Sequence, residues 1–494
     1  MKPEITTRAE LIDALRTASE LEHQLMAQYL FAVYSMKRYT WEGLEPVQLE
    51  YVRRWSSSIT LIARQEMEHL GLALNLLSAI GGTPSFTRPN MPQRADYYGE
   101  AGIKLALTRG NLDTIKRFQR FESPDKLTKK LKPEEPVSQS KAEEWCSEKD
   151  ERIKNRAQLN ARLTSEAGRL RAAAPGVFTT SAPVLGFGWA SVQELYEAIR
   201  RGFDNLASTP DDERKLFVGK PSLQIFGGPG SAQQGSMDDL NQYDVDLIGV
   251  TNLASARLAI TMILEQGEGI SANPEYLRWT HFCLFTGIRN GMEEHGLGEL
   301  AARPVVRNPM TSLYPDVERS EVTLLTNAHT LLVSRIFNES YELMLLLLLY
   351  LYSDNVKTQT EVSSLMDAAF FPLMTMFIRP LAEILTELPA FKNPNEQSTD
   401  GMRNAGPGFE LNGDVLLFPS NASWDLFQER FDTIVAMYDE LLADGDPWID
   451  LPNQKESGLK GSRVWRRLEY MRSNMQRLAA DWRAKWLNIG ITTQ

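Results

Sequence analysis

Three polar residues near the N-terminus stand where a helix should bury apolar side chains. In RQEMEHLGLALNLLSAIGG, Glu66 and His69 lie three residues apart, on the stripe of a long helical segment that should face the core. Glu22 has the same kind of position one helix earlier, together with Leu25 and Tyr29. A buried carboxylate or imidazole needs a hydrogen bond, a charged partner or a metal ion. These three residues are therefore the first candidates for chemistry.

This pattern is typical of carboxylate-bridged dimetal sites in four-helix bundles. Such sites take one glutamate from each of two helices and a Glu-x-x-His pair from each of the other two. Glu22 would supply one glutamate, and Glu66 with His69 would supply one complete pair. Two metal ions with open coordination positions can bind and activate dioxygen. The alternative is a buried polar pair that is satisfied by its helix neighbours.

A second Glu-x-x-His match, Glu20 with His23, has a different helical face. These residues share their face with Asp13 and Arg16, whereas Glu22 shares its face with leucines. We therefore interpret Glu20 and His23 as solvated surface, and the motif alone does not define the site.

The second half of the site has a less regular pattern. Glu265 shares a helical stripe with Met262, and His281 lies on the apolar stripe of the next predicted helix. The residue three positions before His281 is Arg278, which cannot bind a metal, so the usual pair is incomplete there. Glu265 and Glu268 are the carboxylate candidates, although both could instead cap the end of the helix. His281 could also be a core histidine without a metal.

The remaining bundle glutamate should come from SVQELYEAIRRGF, residues 191–203. Glu194 and Glu197 both lie just off the apolar stripe of this segment, and we take Glu194 as the metal-ligand candidate. His295 and His329 lie in polar or mixed settings and are interpreted as surface or hydrogen-bonded residues.

Composition excludes several classes of protein. The chain of 494 residues has 53 basic and 64 acidic side chains, a net charge of -11 that argues against a nucleic-acid partner. The longest apolar stretch, residues 343–352, is about half of the roughly 20 residues that a membrane span needs. Its two cysteines, Cys146 and Cys283, give neither a disulfide framework nor a thiolate metal site. We therefore expect a soluble, cytoplasmic protein without a membrane partner.

Helical periodicity dominates the chain and predicts an all-α fold. Thr7 and Glu10 form a capping box before the first helix, and Gly81 should stop the second. The segment 405–419 is the likeliest exception by pattern, either a brief strand or a loop. The predicted helices are 8–37, 47–80, 191–203, 245–268, 274–290, 319–353, 360–387, 422–444 and 460–486.

The arrangement of these helices predicts two regions. Residues 1–300 should form a four-helix dimetal bundle, interrupted at about 100–190 by an insertion whose charged part is residues 123–172. Residues 301–494 should form a helical C-terminal region that packs on the bundle. The predicted helix 245–268 is apolar on nearly all sides, which indicates a central position.

Several segments together resemble the ferritin-like family of the iminophenyl-pyruvate dimer synthase of violacein biosynthesis, specifically its N-terminal ferritin-like region. The matching segments are LEHQLMAQYLFAVYS (21–35), RQEMEHLGLALNLLSAIGG (64–82), SVQELYEAIRRGF (191–203), LFVGKPSLQI (216–225), AITMILEQGEG (259–269) and THFCLF (280–285), with AGPGFEL (405–411) similar to a later family segment. The resemblance implies a ferritin-like bundle and chemistry on small, amino-acid-derived substrates in secondary metabolism. The family positions that it implies for metal ligands are Glu22, Glu66, His69, Glu265 and His281.

The function that follows is a non-haem dimetal oxidase or oxygenase with dioxygen as cosubstrate. Iron is the first candidate metal, and manganese suits the same carboxylate and imidazole ligands. A small molecule is the expected substrate, and a homodimer is left open. The alternatives are oxidative or imine dimerisation of amino-acid-derived units, or a metal-binding pathway protein without catalysis.

Overall fold

The computed structural model describes residues 4–93, 97, 104–128, 131, 135–147, 189, 191–227, 245, 247–267, 279–314, 317–353, 359–393, 395–419, 422–443 and 463–492. Over these ranges the protein is almost entirely helical, and its named strands are two short parallel ones, β1 (Pro309–Met310) and β2 (Thr323–Leu324). The predicted all-α class is confirmed.

The helices of the described ranges are numbered here in chain order. They are α1 (Arg8–Ser35), α2 (Pro46–Ala79), α3 (Leu112–Phe121), α4 (Asp125–Thr128), α5 (Gln139–Ser147), α6 (Val192–Leu206), α7 (Pro210–Leu216), α8 (Leu253–Gly267), α9 (His281–Glu294), α10 (Ala328–Leu351), α11 (Gln359–Ala368), α12 (Arg379–Leu385), α13 (Ser423–Ala443) and α14 (Arg463–Thr492). A π-helical segment, Ala369–Ile378, joins α11 to α12. Short 3-10 turns lie at Thr40–Glu42, Pro221–Leu223 and Arg319–Glu321.

Helices α1 and α2 form the predicted hairpin and pack against each other along much of their length. The capping box is confirmed: the Glu10 amide donates to Thr7 Oγ1 at 3.2 Å, and the Thr7 amide donates to the Glu10 carboxylate at 3.0 Å. After α2 the chain turns at Gly81, whose φ of 84° is the left-handed conformation that glycine adopts without strain. The local signals at both ends therefore set the length of this hairpin.

The other two bundle helices are α3 and α9, which pack on each other, while α9 also contacts α2. The aromatic rings of Tyr29, Phe118 and Phe285 join α1, α3 and α9, with centroids 4.6 to 5.5 Å apart. Residues 191–203, which were predicted to supply a bundle helix, form most of α6, which packs on α1 and α8. Helix α3 lies in the stretch assigned to the insertion and is too short to give a strong periodic signal.

Helix α8 is shorter and more one-sided than predicted. It begins at Leu253 rather than at Val245, and Leu247 lies before it in an extended bridge to Gly227. The predicted all-round burial of this helix is wrong, since Leu258 is 52% exposed. Its buried face consists of Ala256, Ala259, Ile260, Ile263, Leu264 and Gly267. Small residues on that face let α8 approach α2 and α6 closely.

The C-terminal region packs around α10, which contacts α11, α12, α13 and the π-helical segment. Pro372 lies inside that segment, where the wider turn accommodates a residue that lacks an amide hydrogen. The continuous helix Glu361–Leu385 is long and apolar enough to cross a bilayer, but half of its apolar window is buried in the protein. A core helix meets the same criterion, so this one helix is weak evidence for a membrane span.

The segment 405–419 is a loop, and the described structure forms no strand within it. Residues 405–411 are buried, and Arg88 Nη2 donates to the carbonyl oxygen of Phe409. Isolated bridges from Asn404 to Val305 and Pro389 hold the start of the loop. The loop alternative is therefore the correct one.

Cys146 and Cys283 form a disulfide that joins α5 to α9. The cysteine count predicted no disulfide framework, and the structure has this one bond because folding brings together residues that are 137 positions apart. One hydrophobic cluster extends from Ile5 to Trp482 and includes residues from both predicted regions. The boundary at residue 300 stays a prediction.

Candidate metal centre

Glu66 lies between two imidazole rings. Its Oε2 is 3.0 Å from Nδ1 of His69, and its Oε1 is 3.0 Å from Nδ1 of His281. All three side chains are buried. A carboxylate whose two oxygens face two different histidines has the arrangement of a bridging metal ligand.

Two further carboxylates complete the cluster. Glu22 Oε2 is 3.9 Å from Nδ1 of His69, and Glu122 Oε2 is 3.5 Å from Nδ1 of His281. The ligand atoms of Glu22, Glu66 and His69 all lie within 4.8 Å of one another, and the same holds for those of Glu66, Glu122 and His281. The five side chains therefore form two buried groups of three that share Glu66.

Four bundle helices bring these side chains together. Glu22 lies in α1, while Glu66 and His69 are one turn apart on α2. His281 is the first residue of α9, and Glu122 directly follows α3. The bundle therefore supplies the expected ligand types, except that the fourth helix contributes a histidine without a paired glutamate at the preceding turn.

Glu122 was not among the predicted site residues. A signal for it does exist, because Ile115, Phe118 and Glu122 recur at helical spacing and the first two are buried. The charged run that starts at residue 123 hides this short pattern.

Four of the five residues also form a hydrogen bond to a side chain that surrounds the cluster. The hydroxyl of Tyr196 donates to Glu22 Oε1 at 2.5 Å, and that of Tyr29 donates to Glu122 Oε1. The outer nitrogens of the two histidines each face an amide oxygen. Nε2 of His69 is 2.9 Å from Gln266 Oε1, and Nε2 of His281 is 3.2 Å from Gln65 Oε1.

The electrostatics of the cluster reflect its burial and its paired charges. Burial raises the pKa of Glu22 well above its usual value, and the neighbouring Glu66 carboxylate adds to this. Burial also raises the pKa of Glu122, despite the opposing effect of His281. For His281, burial alone would lower the pKa, but the carboxylates of Glu66 and Glu122 outweigh it and raise the pKa to about 10. For Glu66, the two imidazoles overcome the effect of burial and lower the pKa.

The donor set suits a pair of metal ions. Three carboxylates and two imidazoles match the preferences of iron and manganese. Nδ1 of His281 is buried and makes no hydrogen bond of acceptable geometry among the described residues, although two carboxylates lie close to it. A buried nitrogen that faces carboxylate oxygens in this way is arranged to bind a cation together with them. These groups could therefore hold metal ions.

The structure brings together four of the predicted ligands, Glu22, Glu66, His69 and His281, and leaves others apart. Glu265 lies on the partly exposed side of α8, because the buried face of that helix is the one with Ile263 and Gly267. Glu194 lies in the first turn of α6, where its backbone amide donates a hydrogen bond to Oγ of the N-cap residue Ser191 at 3.1 Å. Neither belongs to the two groups of three, and Glu268 lies outside the described residues, so the assignment of these three glutamates as metal ligands stays a prediction.

His23 is buried, so its interpretation as solvated surface is wrong. Its Nε2 is hydrogen-bonded to the hydroxyl of Tyr341 on α10. The face of α1 that carries His23 is therefore covered by a helix more than 300 residues later in the chain, which local periodicity does not reveal.

A small cavity adjoins the cluster on the side of α6 and α8. Its lining combines the metal-ligand candidates with apolar side chains and one tyrosine: Glu22, Leu25, Glu66, His69, Glu122, Val192, Tyr196, Ile263, Leu264 and Gly267. Helices α6 and α8, which lie between α3 and α9 in the chain, therefore form the wall that faces the cluster.

Comparisons with known proteins add a family and two relatives. A match to the ferritin-like family covers residues 15–290. Dichlorochromopyrrolate synthase of Lentzea aerocolonigenes is 25% identical over 449 residues, which are 84% of this chain and 37% of that protein. The 2-imino-3-(indol-3-yl)propanoate dimerase of Chromobacterium violaceum is 24% identical over 403 residues, 78% of this chain and 33% of that protein. The chain thus spans about a third of the length of these two curated relatives.

Among solved structures, the chain is similar to a ferritin-like protein from Caulobacter vibrioides. The TM-score is 0.37 and the sequence identity is 15%, over 74% of this chain and 95% of that one.

Proposed function

This chain belongs to the ferritin-like family, and on that premise we propose that it is a non-haem dimetal enzyme that uses dioxygen to oxidise a small, amino-acid-derived substrate. The predicted resemblance to the ferritin-like family is confirmed by the match over residues 15–290. The observation that carries the proposal is the position of Glu66, whose oxygens face His69 and His281 at 3.0 Å each. Iron is the first candidate metal, and manganese is the alternative.

The cluster divides into two metal positions with a shared carboxylate. Glu22, Glu66 and His69 would hold one ion. Glu66, Glu122 and His281 would hold the other. When bound, such a pair supplies coordination positions at which dioxygen and substrate meet and electrons are exchanged.

Tyr196 and Tyr29 fix the outer oxygens of the two terminal carboxylates. Each hydroxyl donates to one oxygen of its glutamate, which leaves the other oxygen of Glu22 and of Glu122 directed toward the histidines. Burial raises the pKa of both tyrosines well above its usual value, so the hydroxyls keep their protons. Tyr196 also lines the cavity, where it holds a proton beside an incoming substrate.

Apolar side chains form the rest of the wall that faces the cluster. Leu25, Val192, Ile263 and Leu264 exclude bulk water from this side of the carboxylates. A small substrate with an apolar portion fits such a wall better than a strongly polar one does.

A second candidate function is oxidative or imine coupling of two amino-acid-derived units. The names of the two relatives, a synthase and a dimerase, favour this alternative. The mass of the product separates the two: oxygenation adds oxygen to one substrate molecule, whereas coupling joins two.

The test begins with metal content and oxygen consumption. Protein produced with iron available should contain about two metal ions per chain, as a dimetal bundle requires. With aromatic amino acids or their 2-imino acids as probes, removal of the metal should abolish oxygen consumption and ferrous iron should restore it. Less than about one ion per chain would contradict the dimetal proposal. Two bound ions without any turnover would support a binding protein instead of an enzyme.

A further inference from the structure

Both histidines of the cluster face a neutral amide with their outer nitrogen. Nε2 of His69 meets Oε1 of Gln266 on α8 at 2.9 Å, and Nε2 of His281 meets Oε1 of Gln65 on α2 at 3.2 Å. Each ring directs Nδ1 toward carboxylates in the opposite direction. The two histidines are therefore held in the same way, by glutamines from two different helices.

An amide oxygen can only accept a hydrogen bond, so Nε2 of each ring must be the donor. In the metal-free protein Nδ1 of each ring faces the Glu66 carboxylate at 3.0 Å, and a bound cation would take the place of the proton on that nitrogen. Hydrogen bonds of this kind fix the ring orientation and the tautomer of metal-binding histidines. Gln65 and Gln266 thus prepare His281 and His69 to bind a cation through Nδ1.

The acceptor is neutral at both histidines, and this has an electronic consequence. A carboxylate acceptor draws the Nε2 proton more strongly and makes the ring a stronger electron donor, which favours the more oxidised state of a bound metal. A neutral amide oxygen draws the Nε2 proton much less strongly, so the ring stays a weaker electron donor. On α8 a carboxylate is only one position away, since Glu265 precedes Gln266, but the helix turns the amide to His69 and the carboxylate to the partly exposed side.

We propose that Gln266 and Gln65 are positioning residues that orient Nδ1 of the two imidazoles toward the cluster and hold the metal pair at a higher reduction potential than carboxylates in their place would. This inference rests on the proposed dimetal function. With metal ions bound, a higher potential would favour the reduced ions and would make the oxidised pair a stronger oxidant toward substrate. The two glutamines therefore set the oxidising strength of the site.

The experiment compares full-length Gln266→Glu with wild type, both loaded with ferrous iron. The substitution preserves the size and shape of the side chain, so a difference reports the charge of the acceptor. We expect Gln266→Glu to bind the same number of ions but to prefer the oxidised ions at least tenfold more strongly, a potential lower by about 59 mV for a one-electron couple. Gln65→Glu should shift the potential in the same direction. It serves as the test variant if Gln266→Glu does not fold.

Two further variants separate positioning from general structure. Gln266→Leu removes the acceptor and should weaken metal binding about 10- to 100-fold, as loss of such partners typically does. Glu265→Gln changes a charge at the neighbouring position and should leave the potential nearly unchanged, because that side chain points away from His69.

The outcomes distinguish the two proposals. If wild type binds iron but Gln266→Glu and Gln65→Glu have its potential, the inference about the glutamines is overturned and the dimetal function stands. If Glu265→Gln shifts the potential as much as Gln266→Glu does, the effect is unspecific and the inference is likewise overturned. If wild type binds no iron, the proposed function itself fails.

Discussion

The hydroxyl of Tyr196 donates a 2.5 Å hydrogen bond to Oε1 of Glu22. This contact joins α6, which lies in the segment between the third and fourth bundle helices, to a metal-ligand candidate at the centre of α1. Gln266 of α8 makes a similar connection to His69. The segment between α3 and α9 is therefore part of the site as well as its cover.

Substitution of Tyr196 by phenylalanine should weaken the site and the fold. The change leaves Oε1 of buried Glu22 without its donor, which should lower the free energy of unfolding of the metal-free protein by about 1–3 kcal/mol. Tyr438→Phe is the matched control, because the Tyr438 hydroxyl is buried without a hydrogen-bond partner in the described structure and its removal should be nearly neutral. Urea unfolding of the three proteins measures the difference. Equal midpoints for both variants would show that the Tyr196 hydrogen bond has no energetic role.

Glu66 should be indispensable for metal binding, whereas Glu265 should not. Glu66→Gln preserves the shape of the side chain but removes the charge shared by the two positions, so we expect the loss of both ions. Glu265→Gln should retain the wild-type metal content, because the structure places that residue on the partly exposed side of α8. Metal analysis after gel filtration compares the two variants. If Glu265→Gln lost its metal while Glu66→Gln kept it, Glu265 would be a ligand and the cluster around Glu66 would not be the metal site.

The metal-free protein should lose stability as the pH rises above neutrality. The carboxylates of Glu66 and Glu122 raise the pKa of folded His281 from 6.5 to about 10. The stabilisation from this protonated ring is fully present below pH 6.5 and disappears as the pH rises toward about 10. Denaturant midpoints measured across this range should fall in wild type with metal removed. In His281→Gln the part of the slope due to this ring should vanish, and an unchanged slope would argue against the pairing.

Reduction of the disulfide between Cys146 and Cys283 should destabilise the protein. The bond closes a loop of 137 residues, and a disulfide of this kind typically contributes about 2–4 kcal/mol. A dithiol reductant should therefore lower the unfolding midpoint of wild type. Cys146→Ser should start from the lower midpoint and should not respond to the reductant. Two titratable thiols in the untreated native protein would contradict the bond.

Polar residues on apolar stripes indicated Glu22, Glu66 and His69, while His281 was left open by its pattern and was supported by the family resemblance. Glu22, Glu66, His69 and His281 all interrupt faces that are otherwise hydrophobic, and burial of a charge requires a partner. This signal is local and survives without any knowledge of the fold. It fails for Glu122, because α3 is only ten residues long and adjoins a charged run.

Two other predictions, the buried face of α8 and the exposure of His23, were wrong because they depend on packing that local periodicity does not reveal. Helix α8 is apolar on most sides, so the stripe with Met262 and Glu265 looked as buried as the true face, which uses the small residues Ala256 and Ala259. His23 shared a face with Asp13 and looked solvated, but α10 covers the part of α1 where it lies. In both cases a distant helix decides which face is buried.

The candidate ligands and the residues that line the cavity come from different parts of the chain. The five candidate ligands come from α1, α2, α9 and the end of α3, whereas Val192, Tyr196, Ile263 and Leu264 belong to helices inserted between α3 and α9. Substitutions of Val192, Ile263 or Leu264, unlike those of Tyr196 or Gln266, can therefore reshape the cavity while the candidate ligands stay in place. Such a division would let the apolar positions of α6 and α8 vary while the buried cluster stays constant, so that one site could be adapted to new substrates in the course of evolution.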